Sequence, residues 1–526
     1  MIRDQLAAAL RDALVSQQVE PPEAIHLERP ARREHGDWSS NVALATAKRN
    51  NRNPRELAQA IADHLNAARP PHVSSVEIAG PGFINFRLAD SWLHDVLRDV
   101  VREGTERYAT PDIGQGRKVD VEFVSANPNK PIHAGHGRGA VYGDAISRLL
   151  ERCGFVVTRE YYLNDRGVQM QKYAESLAAR KRGEEPPEDG YHGEYVIEWA
   201  AEMPDDADPL EWGYARALAS HRATLASLGI SFDVWFSERS MVASGALDET
   251  LADLRARGVV YEADGAVWLR STDYGDDKDR VLVKSDGEYT YLLPDIAYHR
   301  DKFARGFDLL IDVWGADHHG YVPRMRAALL ALGHDASQFE VVITQLVSLE
   351  RDGQAVAMSG RAGDLIELDD IIAEVGADAV RFTYLLQSVD TAQTVDLELI
   401  KRKVMDNPVF YVQMAHARLR SIERVAGERG VTRLPLDEVD LSVLVHEREL
   451  DVLRQLFALP DTIAVACADR APHRVTSWLR ELAAAVHGFY HDCYVMGDGI
   501  PPELTQARLW LVEAARIGLA VGLGVL

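Results

Sequence analysis

The stretch Val119–His136 reads VDVEFVSANPNKPIHAGH, and it decides the fold of the largest part of the chain. Apolar and acidic side chains alternate up to Phe123, as they do in a β-strand. Pro128 and Pro131 then end the strand. Apolar residues next recur at helical spacing between Ile146 and Cys153, which predicts a helix. A strand that leads directly into a helix is the unit from which parallel α/β sheets are built.

Strand-like and helix-like segments keep alternating on both sides of this unit, so the sequence predicts a multidomain α/β protein. A Rossmann-type, parallel-sheet catalytic domain is expected at 115–400, with a surface insertion at about 170–265. A small α+β domain is expected at 1–110, because two strand-like runs flank a Gly-Pro-Gly turn there. Strand patterns vanish after the catalytic domain, which predicts an α-helical bundle at 401–526.

Composition narrows the class of protein. No run of about 18 apolar residues occurs and the first residues lack a secretory pattern, so we expect a cytoplasmic protein without a membrane segment. The three cysteines, Cys153, Cys467 and Cys493, are far apart in sequence and are expected to be reduced thiols rather than disulfides or zinc ligands. A net charge of −23 argues against nonspecific coating of nucleic acid, although a tRNA could bind a local basic face.

The residues after the strand are suited to binding a nucleotide. They lie at the carboxyl end of a strand and at the start of a helix, where backbone amides attract phosphate. His133 and His136 are three residues apart and therefore face one side of the helix, where they add hydrogen-bond donors. Gly135 leaves room for a base or a ribose. The alternative is that the two histidines only cap the helix.

The His-x-Gly-His string resembles the "HIGH" signature of the class I aminoacyl-tRNA synthetases. The wider sequence resembles the arginyl enzymes in particular, through the segments Ser125–Pro128 and Asn164–Gln169 on either side of the string. Further segments fit the same family over most of the chain: His35–Asp37, Trp314–His319, Asn407–Val409, Gln413 and Ala415–Arg418.

This resemblance implies functional residues at matching positions. The residues expected to act in catalysis are His133, His136, Lys130 and Arg361. The residues expected to bind ATP are Asn127, Pro128, His133, Gly135, His136, Asp317, His318, Met358 and Ser359. The residues expected to bind arginine are Glu122, Ser125, Asn127, Tyr291 and Asp295.

The predicted arginine pocket also has a chemical basis. A guanidinium group is a planar cation with five donors, and carboxylates are the acceptors that match it. Glu122 or Asp295 would hold the guanidinium, and the sequence does not decide between them. Tyr291 precedes Asp295 by four residues, which puts both on one side of a helical turn. The alternatives are that Glu122 is an ordinary surface charge and that Asp295 only caps its helix.

One departure from the family concerns its second signature, "KMSKS", whose lysines stabilise the charge on pyrophosphate. The corresponding segment reads AMSGRAG at 357–363 and lacks both lysines. Arginyl enzymes that lack the second lysine resemble this chain in carrying a lysine just before the histidine motif, and Lys130 holds that place. Lys130 and Arg361 are therefore expected to supply the missing positive charge.

The resemblance implies an arginine–tRNA ligase. It would use ATP with bound Mg²⁺, L-arginine and tRNA(Arg), and would hold no metal site of its own. Residues 1–110 would contact the tRNA elbow, the bundle at 401–526 would read the anticodon, and the protein is expected to be a monomer. Two other hypotheses stay open at this point: a synthetase for a different amino acid, and a tRNA-binding paralogue that has lost its chemistry.

Overall fold

The computed structural model describes residues 2–30, 32–356 and 366–526. The chain separates into two compact units, each assembled from three segments. Unit 1 contains Met1–Gly104, Leu419–Phe457 and Ala485–Ile517. Unit 2 contains Thr105–Arg418, Ala458–Ala484 and Gly518–Leu526.

Unit 1 begins with a small α+β arrangement, in agreement with the sequence. Its helices are α1 (Ile2–Ser16), α2 (Val42–Ala47), α3 (Pro54–Ala67) and α4 (Ser91–Arg107). Its strands are β1 (Trp38–Ser40), β2 (Val73–Ala79) and β3 (Phe83–Leu88), which form an antiparallel sheet of order β1-β3-β2. The backbone of α4 is non-helical at Gly104, where φ is 62° and where unit 1 gives way to unit 2.

Unit 2 is built on strands and crossover helices. The strands are β4 (Lys118–Glu122), β5 (Val156–Leu163), β6 (Val234–Ser237), β7 (Val260–Ala263), β8 (Ala266–Leu269), β9 (Arg280–Val283), β10 (Leu309–Gly315), β11 (Phe339–Thr344), β12 (Val347–Arg351), β13 (Gln354–Ala355) and β14 (Gln393–Asp396). The helices are α5 (Ala134–Arg152), α6 (Val168–Lys181), α7 (Glu194–Glu202), α8 (Pro209–Ser227), α9 (Glu238–Ala243), α10 (Ala246–Ala256), α11 (Leu292–Ala304), α12 (Val322–Ala331), α13 (Leu368–Val375), α14 (Ala377–Tyr384) and α15 (Leu397–Lys401).

The main sheet explains where a ligand would bind. Five parallel strands have the order β11-β10-β4-β5-β6, so the chain moves from β4 to one side first and later returns to the other side at β10. Open α/β sheets bind ligands in the crevice at such a reversal, beyond the carboxyl ends of the strands. The loop from Phe123 to His133, between β4 and α5, opens directly onto this crevice.

The interval 170–265, expected to be a surface insertion, has two different structures. Helices α6, α7 and α8 pack on a core of their own, which includes Tyr173, Leu177 and Trp199. Strand β6, however, is the edge strand of the main sheet and pairs with β5. A four-residue strand is too short to display a recognisable alternation, which is why the sequence pattern did not separate it from the insertion.

The last part of the chain is helical, as the spacing of its apolar residues predicts. Its helices are α16 (Pro408–Glu428), α17 (Glu447–Ala468), α18 (His473–Asp492) and α19 (Pro502–Val525), and each contributes residues to both units. None of the helices in the described ranges has the length and apolar character that crossing a bilayer requires. Cys153, Cys467 and Cys493 are buried free thiols.

Candidate active site

The loop that follows β4 is backbone-strained and tightly held. Val124 and Ser125 have φ angles of 69° and 40°, in the left-handed region that non-glycine residues seldom adopt, at a cost of about 1–3 kcal/mol each. The Ser125 hydroxyl donates to Glu122 Oε1 at 2.9 Å and accepts from the backbone amide of Tyr162 at 3.1 Å. These bonds hold the strained turn in one conformation, and such strain is typical of functional sites.

The two histidines of the motif lie against each other at the start of α5. Their ring centroids are 3.8 Å apart, with an interplanar angle of 37°. His133 is the N-cap, and its Nδ1 accepts from the backbone amide of Gly135 at 3.1 Å. A Cβ atom at position 135 would lie 2.9 Å from the His133 ring. Glycine is therefore needed there to keep the ring in place.

Both imidazoles are neutral at physiological pH. Burial and the positive charge of Lys130 lower the pKa of His133 to about 4, and burial together with the nearby His133 and Lys130 lowers the pKa of His136 to about 3. Because His133 Nδ1 accepts a hydrogen bond, the proton of its neutral ring is on Nε2. His136 Nδ1 is buried and has no hydrogen-bond partner within the described part of the chain. These rings can donate to or accept from a ligand, but they do not supply a fixed positive charge.

Backbone hydrogen bonds also join the histidine motif to residues that follow the second signature segment. The Ala134 amide donates to Ile366 O and the Leu368 amide donates to Ile132 O, each at 2.8 Å. The predicted residues Met358, Ser359 and Arg361 lie between 357 and 365, outside the described residues, so their roles stay predictions.

A fully buried lysine organises the acidic residues under the crevice. Lys302, on α11, has 0% of its side chain exposed. Its ammonium lies 2.7 Å from Glu122 Oε2 and 3.1 Å from both Asp120 Oδ1 and Asp312 Oδ1. Glu122 and Asp312 are in register on neighbouring strands, so one lysine bridges β4 and β10. One Glu122 oxygen thus contacts Lys302 and the other accepts from Ser125.

Two further carboxylates, Asp295 and Glu238, have partners other than Lys302. Asp295 accepts a hydrogen bond from the Tyr321 hydroxyl, and its pKa rises to about 6 because it is surrounded by protein and lies near the charges of Glu122 and Glu238. Burial also raises the pKa of Glu238, which accepts from the Tyr162 hydroxyl and lies 3.5 Å from Arg166 Nη1. Carboxylates in a partly enclosed site are acceptors that match a guanidinium ligand.

Glu238 and Lys302 were not predicted from the sequence. Glu238 opens α9 directly after β6, at the carboxyl edge of the main sheet, and this position is the signal that could have identified it. Lys302 sits in a helix among charged residues, where a solvent-exposed side chain is the ordinary expectation. Only the strands packed against α11 reveal that Lys302 is buried.

The other residues predicted to bind ATP or arginine differ in their exposure to solvent. Pro128 is buried and Asn127 is exposed in the loop after β4. Asp317 and His318 are exposed in the 3₁₀ helix that follows β10, with His318 Nε2 3.5 Å from Asp317 Oδ2. Tyr291 is 92% exposed, so its ring is not among the carboxylates. The four-residue spacing predicts that Tyr291 and Asp295 share one side of α11. It does not predict whether other elements cover the N-terminus of that helix, where Tyr291 lies.

Comparison with known proteins identifies the family. A family model described as the class I (R) tRNA synthetase catalytic domain matches residues 100–185 and 213–423, more than half of the chain. The chain belongs to the arginyl-tRNA synthetase family. The N-terminal domain model of arginyl-tRNA synthetases matches residues 1–88, and a DALR anticodon binding domain matches residues 412–526.

Individual members of the arginyl-tRNA synthetase family match over nearly their full lengths. The arginine–tRNA ligase of Frankia alni is 46% identical, and the match covers 100% of this chain and 98% of the relative. The arginine–tRNA ligase of Oleidesulfovibrio alaskensis is 44% identical with the same coverage. The arginyl-tRNA synthetase of Thermus thermophilus has the same fold, with a TM-score of 0.75 at 24% identity over 100% of this chain and 98% of that chain.

These matches confirm the predicted fold class and the resemblance seen in the sequence motifs. They remove the hypothesis of a synthetase for a different amino acid, because the N-terminal and catalytic family models and the curated relatives named above are those of arginyl enzymes.

Proposed function

We propose that this protein joins L-arginine to tRNA(Arg) with ATP, by forming arginyl-adenylate and then transferring the arginyl group. The observation that carries the proposal is the group of Asp295, Glu238 and Glu122 around Tyr162, beside a crevice that opens on paired imidazoles. The family membership supports the same chemistry.

The arginine pocket is proposed to use Asp295 and Glu238 as the acceptors for the guanidinium. Glu122 shapes the pocket, and its carboxylate already contacts Lys302 at 2.7 Å. The sequence left open whether Glu122 or Asp295 holds the guanidinium, and we favour Asp295. Ser125 and Asn127 would orient the amino acid, and Tyr291 would contact it after its exposed side chain rotates towards the pocket.

In the first step, the arginine carboxylate attacks the α-phosphorus of ATP in line, and pyrophosphate leaves. Little acid–base chemistry is needed, so alignment and charge stabilisation dominate. His133 and His136 would donate to phosphate oxygens as neutral rings, while Lys130 and Arg361 supply positive charge. Gly135, Pro128, Asp317, His318, Met358 and Ser359 would complete the ATP site. Mg²⁺ would arrive on the ATP phosphates and neutralise part of their charge.

In the second step, a ribose hydroxyl of the terminal adenosine of tRNA attacks the arginyl carbonyl carbon, and AMP leaves. The bundle at 401–526 is proposed to read the anticodon, which the match of its sequence to an anticodon binding domain supports. Residues 1–110 are proposed to contact the tRNA elbow, and 115–400 to form the catalytic domain. We further propose that the enzyme acts as a monomer in the cytoplasm, where translation takes place.

The decisive experiment is ATP–pyrophosphate exchange with each amino acid in turn, with and without tRNA. Exchange is expected with arginine alone among the amino acids, and only when tRNA is present. No exchange with any amino acid, from a protein that still binds tRNA(Arg), would favour the noncatalytic paralogue that the loss of both loop lysines suggests. Exchange with lysine at a rate similar to arginine would contradict the proposed pocket.

A further inference from the structure

We propose that α8, the helix that precedes β6, positions Lys130 for adenylyl transfer, and that His221 is the residue through which it does so. This inference rests on the proposed function, because it takes Lys130 as a cation that acts on the phosphates. It gives the insertion a role in catalysis that the sequence did not indicate.

A chain of hydrogen bonds joins both ends of the loop that carries Lys130. At one end, the Ala126 amide donates to the Tyr161 hydroxyl at 3.1 Å, and this hydroxyl lies 2.9 Å from His221 Nδ1. At the other end, His221 Nε2 lies 2.8 Å from Lys130 O. A carbonyl oxygen cannot donate, so Nε2 carries the proton and Nδ1 accepts from the tyrosine. One Tyr–His pair therefore fixes the span of residues 126–130.

Burial makes this chain of bonds costly to break. Tyr161 and His221 each have 0% of their surface exposed. Burial lowers the pKa of His221, so its ring is neutral and one nitrogen is free to accept. If the ring were replaced by an apolar side chain, the Lys130 carbonyl would lose a buried donor, at a cost of about 1–3 kcal/mol. Movement of the loop would relieve this cost, and Lys130 would move with it.

The insertion also holds the residue next to Lys130. The Asn129 side chain donates to the Tyr191 hydroxyl at 2.8 Å. The Tyr195 hydroxyl donates to Asn129 O at 3.0 Å. Tyr191 precedes α7 and Tyr195 lies within it, so these contacts come from a different part of the insertion than His221 does. The positions of Asn129 and Lys130 therefore both depend on the insertion.

The same helix reaches the second signature segment. Thr224 is three residues after His221 on α8, and its hydroxyl donates to Asp369 Oδ2 at 2.7 Å. Asp369 is the second residue of α13, which begins shortly after the segment 357–365. One face of α8 thus holds the loop of Lys130 and the helix that follows the KMSKS-like segment. In a reaction that depends on alignment, a displacement of about 1 Å can cost about a hundredfold in rate.

The test is a double-mutant cycle measured by tRNA-dependent pyrophosphate exchange. Lys130→Ala and His221→Leu are each expected to lower the exchange rate about tenfold or more, with the KM for arginine changed less than about twofold. The double variant is expected to be no slower than Lys130→Ala alone, because His221 acts through Lys130. His221→Gln keeps a donor near the Nε2 position and should recover most of the rate.

Two further variants keep the test decisive. Tyr195→Phe removes one hydrogen bond to the Lys130 loop without changing volume, and should lower the rate non-additively with Lys130→Ala even if His221→Leu does not fold. Tyr173→Phe is the matched control: it removes a buried bond to Gly213 O inside the same insertion and should leave the rate unchanged.

The outcomes separate the two proposals. A normal rate in Lys130→Ala would remove the proposed role of that lysine, and the inference with it. A slow Lys130→Ala together with normal His221→Leu and Tyr195→Phe variants would overturn the inference alone. Additive losses in the double variants would also overturn it, because they would show general damage to the fold.

Discussion

Replacing Asp295 with Asn should make the protein more stable while weakening its affinity for arginine. The pKa of Asp295 is raised from 3.8 to about 6 in the folded protein. Because the folded state holds this proton more tightly than the unfolded chain does, protonated Asp295 stabilises the fold. This stabilisation is fully present below about pH 4 and is lost as the pH rises through 6. At pH 7.5 the ionised group therefore destabilises the fold, by at most about 3 kcal/mol at 1.36 kcal/mol per pKa unit.

The effect on arginine has the opposite sign. Hydrogen bonds that involve a charged group contribute about 1.5–3 kcal/mol, so losing the Asp295 charge should raise the KM for arginine about 10- to 100-fold. The KM for ATP should change less than about twofold. In the unmodified enzyme, kcat/KM for arginine should fall about tenfold per pH unit below pH 6, because protonation removes the same charge. The Asp295→Asn variant should lack this dependence.

The assay combines pyrophosphate exchange at varied arginine concentration and pH with urea unfolding of the free protein. Asp301→Asn is the matched control, because Asp301 lies on the same helix and pairs at the surface with Arg305 at 2.9 Å. The control should alter stability by less than about 1 kcal/mol and leave both KM values unchanged. An Asp295→Asn variant that is less stable than the unmodified protein, or that raises the KM values for arginine and ATP equally, would refute the reasoning.

Two other expectations concern charges inside the catalytic unit. Lys302→Met should lower the free energy of unfolding by about 3–5 kcal/mol, because it leaves buried carboxylates unpaired, and adding Asp312→Asn should restore part of that loss in urea unfolding. If the single and double variants are equally stable, the lysine does not balance these charges. His133 and His136 have pKa values of about 4 and 3, so the exchange rate should show no inflection from them between pH 6 and 8. An inflection near pH 6.5 that His133→Asn removes would contradict the neutral state of the rings.

Local sequence patterns are sufficient to predict several elements of this structure. The alternation before Phe123, the two prolines and the helical spacing after His133 predict β4, the loop and α5, because each depends on residues close together in sequence. Because ligands bind at the carboxyl ends of the strands in open α/β sheets, the sequence also predicts that the histidines lie in the crevice. The contiguous motifs were sufficient to suggest the family.

Tertiary structure alone decided which charges balance one another. Glu122 and Lys302 are 180 residues apart, and His221 and Lys130 are 91 apart, so no periodicity connects them. Glu122 could be recognised as polar from the sequence, but its contact with Lys302 and the burial of Asp295 depend on how β4, β10 and α11 pack. The energy of a buried charge is set by distances to its partners and by exclusion of water, and both arise only when distant segments come together.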